Sequence, residues 1–324
     1  MNSKQVKELI EKASNSESVH IPHQLVFLIL NQKQNQNHNT KWPFPSNVTP
    51  PKKLPLIILD SSFNPPTKAH ALLAEKSMEF ISQLLHSQSP HQYVSPSLLL
   101  LYSIKNIDKI AKSTDASVFQ RLLMASHMSF RKKDIYPALG ITTASLFVDK
   151  KNVLLNYYHQ YGQDHNHGHG TISDDNDQHG LENSLDLYFI MGYDTIIRFF
   201  DVKYYGNDTE MNRVLEDFFS NASIIVASRE NTNTSITTST SPSSSSSLLL
   251  EEFMTTIQSR PNFHIYRDKI HVLPNIWTNE IGSLSSTKVR ELLQQGGVND
   301  DALRGMVDKD VLDIIRSEKL YIMS

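Results

Sequence analysis

Between Leu54 and His70 the chain reads Leu-Pro-Leu-Ile-Ile-Leu-Asp-Ser-Ser-Phe-Asn-Pro-Pro-Thr-Lys-Ala-His. An apolar run ending in an acid, a short loop with two prolines and then helical spacing over 69–80 spell a buried strand, a tight loop and a first helical turn. In an open α/β sheet, ligands sit at the carboxyl ends of the strands, where a helix N-terminus offers free N–H groups to a phosphate. The loop is therefore a candidate nucleotide cradle, with Thr67 and His70 pointing into it.

The rest of the chain repeats this alternation. Strands are predicted at 56–60, 98–103, 141–147, 185–191 and 222–227, with two short ones at 263–266 and 270–273. Helices are predicted at 69–85, 116–130, 152–161, 195–200, 210–219, 287–294 and 309–316. The pattern predicts a Rossmann-like, doubly wound α/β fold, with a mainly parallel sheet of five to six strands and helices on both faces. Residues 1–53 read as an N-terminal helical segment followed by an Asn- and Pro-rich linker, and 54–324 as the nucleotide-binding domain. Polar inserts interrupt it at 162–184 and 231–247. The first insert carries His165, His167, His169, Asp174, Asp175 and His179. Without an apolar frame to fix ligands it reads as a solvated insertion rather than a metal site. The second is almost all Ser, Thr and Asn and is expected to be disordered.

Composition narrows the function. A formal net charge of −3 does not suggest an electrostatic binder of nucleic acid or membranes. The absence of cysteine removes thiolate catalysis and thiolate metal sites. No apolar run approaches the ~18 residues of a membrane span, and no secretory h-region follows the N-terminus. The expectation is a cytoplasmic protein, with the nucleus also open, acting on small molecules.

Two further stretches carry chemistry. Met191-Gly192-Tyr193-Asp194 follows the strand at 185–191. A Gly at a strand's carboxyl end permits close ligand approach, and the adjacent carboxylate can accept from ribose hydroxyls. An ordinary helix cap reads equally well there in isolation. In Leu284-Ser285-Ser286-Thr287-Lys288-Val289-Arg290, Ser285 would cap a helix, and Ser286 and Thr287 would offer hydroxyls and N–H groups to phosphates. Arg290, one turn inside, would fork onto a triphosphate tail.

Taken together, Ser61-Ser62-Phe63-Asn64-Pro65-Pro66-Thr67-Lys68-Ala69-His70, Gly192-x-Asp194 and Ser285-Ser286-Thr287-x-x-Arg290 resemble the three motifs of the nicotinamide mononucleotide adenylyltransferases. The form is closest to the divergent fungal branch of that family. It lies within the nucleotidyltransferase superfamily marked by a His or Thr, two residues, then His. Ser61 stands where the family pattern has Gly, a residue favoured wherever backbone takes positive φ or approaches a phosphate closely.

The resemblance implies transfer of AMP from ATP to nicotinamide mononucleotide, giving NAD and pyrophosphate by direct in-line attack, with Mg²⁺ carried on ATP and no dedicated metal site. It implies His70, Thr67 and Arg290 as catalytic. Ser61, Ser62, Phe63, Asn64, Gly192, Asp194, Ser285, Ser286, Thr287 and Arg290 would contact ATP. Lys105, Asn106 and Arg229 are candidates for the acceptor, and Arg121 is expected to be structural. A related enzyme with another acceptor, or a nucleotide-binding regulatory protein of weak activity, fits the same motifs.

Overall fold

The structure is a computed structural model, and it describes residues 7–8, 25–29, 53–89, 92–104, 115–132, 135, 137–166, 185–227, 245–260, 262–273, 284–295 and 300–322. Seven strands form one sheet: β1 (Leu25–Ile29), β2 (Leu54–Asp60), β3 (Ser97–Ser103), β4 (Ala138–Thr142), β5 (Leu185–Gly192), β6 (Ala222–Ala227) and β7 (Ile270–Val272). Their order is β1-β4-β3-β2-β5-β6-β7. Every pair is parallel except the edge, where β1 runs antiparallel to β4. The expected mainly parallel sheet is thus observed, with one more strand, drawn from the segment that precedes the linker. From β2 the chain winds outward through β3 and β4, then returns to the other side of β2 with β5. The order reverses between β2 and β5, and their carboxyl ends flank the crevice.

The helices are α1 (Lys68–Gln88), α2 (Val118–Ser126), α3 (Phe147–Asn166), α4 (Tyr193–Phe199), α5 (Asp208–Asn221), α6 (Ser245–Gln258), α7 (Phe263–Tyr266), α8 (Ser286–Gln295), α9 (Asp300–Met306) and α10 (Lys309–Ser317). Side chains alternate across β2. Leu54, Leu56 and Ile58 enter one core with α3, α4 and α5, while Ile57 and Leu59 enter the other with α1 and α2. Both faces of the sheet are therefore covered. A third cluster packs α8, α9 and α10 against α1 and α2, through Val289, Leu303, Met306, Leu312 and Ile315 on one side and Ala69, Leu72 and Met124 on the other.

Local chemistry sets several boundaries. Ser117 and Gln120 form a reciprocal capping box that starts α2 at Val118, two residues later than its composition suggests. Thr142 Oγ1 accepts the Ala144 N–H, which turns the chain out of β4. The strand expected at 141–147 therefore lies at Ala138–Thr142, and Phe147 already begins α3. The strand expected at 263–266 is a single helical turn, with Phe263 edge-on to a Tyr266 ring that also packs on Phe200 and Phe219. Aromatic residues favour strands only when a pleated partner is available. Two helices have no counterpart in the sequence reading, α9 and α6, the latter beginning inside the Ser-rich stretch. No described helix is long and apolar enough to cross a membrane.

Candidate active site

The cradle begins where β2 ends. Its alternation continues past the strand and sends Asp60 and Ser61 to opposite faces. Asp60 meets Lys150 of α3 in an ion pair whose side chains are 13% and 4% exposed, and it also accepts from Ser103 Oγ. The Lys150 ammonium lies over the Phe147 ring at 4.6 Å. On the other face Ser61 Oγ lies 3.1 Å from His70 Nε2, while its N–H donates to the Leu101 carbonyl and extends the ladder by one bond. Positive φ in this loop falls on Phe63, at 44°, and not on Ser61. The backbone therefore makes no demand for glycine at Ser61.

Thr67 is the N-cap of α1 and His70 is its third residue, so the pair forms a capping box with an imidazole in place of the usual Glu or Gln. The Thr67 N–H donates to His70 Nδ1 at 3.0 Å. A backbone N–H can only donate, so Nδ1 is the acceptor and the neutral imidazole carries its proton on Nε2. Nε2–H then donates to Ser61 Oγ. Thr67 is 2% exposed and its hydroxyl lies 2.9 Å from the same Nδ1. It was expected to face a phosphate beside His70; the structure turns it onto His70 instead.

Two other expected contacts are also turned inward. Phe63 is fully buried. Asn64, 5% exposed, uses its side chain within the protein: Nδ2 donates to Asp115 at 2.8 Å, while Oδ1 accepts from the Ala116 N–H at 3.2 Å and the Tyr321 hydroxyl at 2.8 Å. Arg121 backs this network through Asp115 at 3.2 Å and the Ala116 carbonyl at 2.7 Å, a structural task as its sequence context implies. Burial pushes the Tyr321 hydroxyl pKa up, against the opposing pull of Arg121 and Arg290. Ser62 remains partly exposed on the loop.

The third motif docks on this loop. Ser285 accepts the Lys288 N–H at 3.1 Å and caps α8 as expected. Ser286 Oγ donates to the Pro65 carbonyl at 2.7 Å, so a hydroxyl expected to serve phosphates is here spent on the cradle. Arg290 Nη1 donates to the Asn64 carbonyl at 2.6 Å, and Nη2 to Thr287 Oγ1 at 3.2 Å. Thr287 is exposed. Residues 221 and 226 positions apart in sequence therefore share hydrogen bonds.

The second motif arrives through the sheet. β2 and β5 are paired with Leu59 opposite Ile190, and continuing that register sets Ser61 level with Gly192, one strand spacing or ~5 Å away. Gly192 is the N-cap of α4, with φ −74°, and Asp194 is exposed in the first turn. An acid there suits the positive end of the helix. Lys105, Asn106 and Arg229, the residues considered for an acceptor, lie outside the described residues, as do His167, His169, Asp174, Asp175 and His179 of the first insert. Sequence reasoning assigned no role to Asp60, Lys150, Asp115 or Tyr321, and the last three lie outside every motif.

No family model matches the sequence. A Schizosaccharomyces pombe protein named "Putative nicotinamide mononucleotide adenylyltransferase" is 26% identical over 280 residues, which are 82% of this chain and 86% of that protein. Among solved structures, Plasmodium falciparum nicotinic acid mononucleotide adenylyltransferase is similar to the chain in its complexes with APC and with NaAD. TM-scores are 0.41 and 0.42, identities 14% and 16%, and coverage 83% of this chain and 97% of the other in both cases. Overlap that low carries no argument about this chain. The S. pombe match extends over most of both sequences.

Proposed function

We propose that this chain is an adenylyltransferase that joins nicotinamide mononucleotide to the AMP moiety of ATP, forming NAD and releasing pyrophosphate. One observation carries the reading: Arg290 and the loop leading to His70 are hydrogen-bonded into one unit beside the sheet's switch point. The S. pombe relative's name supports the choice of a pyridine mononucleotide as acceptor.

In the proposed reaction an oxygen of the acceptor's 5′-phosphate attacks the α-phosphorus of ATP in line, and the bond to the β-phosphate bridging oxygen breaks. The nucleophile is already anionic, so no general base is needed. Charge on the nonbridging and departing oxygens must be neutralised instead. His70 offers a Nε2–H for the α-phosphate. Arg290 exchanges its bonds to Asn64 and Thr287 for a fork onto the departing pyrophosphate. Gly192 gives the nucleotide close approach, and Asp194 accepts from a ribose hydroxyl. Among the described residues no group of three or more His, Asp or Glu gathers to hold a metal. The proposal has Mg²⁺ enter as part of MgATP, bound by phosphate oxygens, in keeping with its preference for water and substrate ligands.

Purified protein incubated with MgATP and nicotinamide mononucleotide is expected to form NAD and pyrophosphate in equal amounts. His70→Ala should lower kcat by roughly 10²- to 10³-fold. Nicotinic acid mononucleotide, run in parallel, distinguishes the acceptor: faster turnover with it would change the named substrate while keeping the reaction. Absence of pyrophosphate with either acceptor would overturn the reading.

A further inference from the structure

The imidazole of His70 is held at both nitrogens. Thr67 fixes Nδ1 through its N–H at 3.0 Å, and Nε2 lies 3.1 Å from Ser61 Oγ. The capping bond determines which nitrogen is protonated, and the Phe63 ring packs against the imidazole with centroids 5.9 Å apart. Ser61 supplies the second fixed point. Its own place is well determined: its N–H is bonded to Leu101, and the residue before it is pinned to the opposite face by Lys150 and Ser103. Ser61 is also the one position where the first motif departs from the family's pattern, and the backbone there takes no positive φ. A glycine would remove the hydroxyl and give the local backbone nothing it lacks.

We propose that Ser61 is a positioning residue for adenylyl transfer: its hydroxyl accepts from His70 Nε2–H and holds that proton toward the crevice until a phosphate oxygen replaces it. This inference rests on the adenylyl-transfer reading for its effect on rate, whereas the hydrogen bond can be observed without turnover. A group that aligns the donor before the transition state acts on kcat, because small misplacements of a reacting constellation cost roughly 10- to 100-fold in rate. A group that merely bound ATP would act on KM instead.

The test uses the full chain and three variants, Ser61→Ala, Ser61→Gly and Ser61→Thr. For Ser61→Ala and Ser61→Gly, kcat is expected to fall by roughly tenfold or more with KM for ATP within about twofold of the parent. Ser61→Thr, which keeps the hydroxyl, should recover most of the rate. In ¹⁵N-labelled protein the His70 Nε2–H resonance should be visible in the parent and in Ser61→Thr, and should be lost to solvent exchange in Ser61→Ala, while Nδ1 stays unprotonated in all three. Unchanged kcat in Ser61→Ala, a rise in KM that accounts for the whole loss, or a persistent Nε2–H resonance would each overturn the proposal. If the parent forms no product with either acceptor, the adenylyl-transfer reading falls alone. The resonance then decides whether Ser61 holds the imidazole.

Discussion

The two sides of the crevice are built on different terms. On the Arg290 side nearly every polar group already has a protein partner: Asn64 with Asp115, Ala116 and Tyr321, Ser286 with Pro65, and Arg290 with Asn64 and Thr287. On the Gly192 side a Cβ built on the glycine would meet no atom within 4 Å among the described residues beyond its chain neighbours, and a φ of −74° suits any L-residue. The N-cap position of α4 suits a glycine, and the open space beside it is where the nucleotide lies in the proposed reaction. One side is thus a folding unit held by its own hydrogen bonds, and the other leaves space that the proposed reaction would fill with nucleotide.

The sharpest way to break this contrast is to remove Asn64. Asn64→Ala strips partners from the Ala116 N–H and the Tyr321 hydroxyl at once, in a position only 5% exposed, while Asp115 keeps its ion pair with Arg121. Each buried polar group left unsatisfied costs about 1–3 kcal/mol, so a loss on the order of 3 kcal/mol in chemical denaturation is expected. If stability were unchanged, the Arg290 side would be no more a folding unit than the Gly192 side. Gly192→Val should behave in the opposite manner. Its loss of stability should not exceed that of a weakened helix cap, about 1 kcal/mol, because the new side chain enters open space. Calorimetric affinity for ATP should fall roughly tenfold or more, equivalent to about 1.4 kcal/mol. A Gly192→Val destabilised by more than a helix cap that binds ATP normally would reverse the assignment of the two sides.

The same contrast explains what the sequence disclosed. The cradle was legible because its signals are local: an apolar run, two prolines and a Thr-x-x-His spacing lie within seventeen residues. The mainly parallel, doubly wound sheet followed from the alternation of strands and helices. What failed to show were partners distant in sequence. Tyr321 meets Asn64 across 257 positions and Asp115 meets it across 51, and neither carries a motif of its own. Asn64 was therefore read as facing ATP when its side chain faces the protein. Thr67 was misread for a related reason. Its spacing to His70 is equally that of two groups sharing a ligand and of a capping box, and only the hydrogen atom on the Thr67 nitrogen decides between them. Ser61 was weighed as the loss of a glycine, and the positive φ that gave that loss its meaning lies two residues on, at Phe63. The strand misplaced at 141–147 turned on one hydroxyl, Thr142 Oγ1, which ends β4 earlier than the run of apolar residues implies.

The smallest expected effect gives the finest resolution of the Arg290 side. Tyr321→Phe removes one hydroxyl from the network and leaves the ring, 5% exposed, packed in the cluster with Leu303, Met306 and Val311. Asn64 Oδ1 keeps its bond from the Ala116 N–H, so no buried acceptor is orphaned. The cost should be that of a single net hydrogen bond, about 1 kcal/mol. In an Asn64→Ala background the same change should cost distinctly less, because the acceptor is already gone, and the difference between the two values measures the coupling directly. ATP affinity should stay within about twofold in Tyr321→Phe, since the hydroxyl reaches the ligand side only through a side chain that still holds its place. Equal costs in both backgrounds would mean that Tyr321 stabilises the C-terminal helices by packing alone, and that the loop before His70 takes its shape from Asp115 and Arg290 without it.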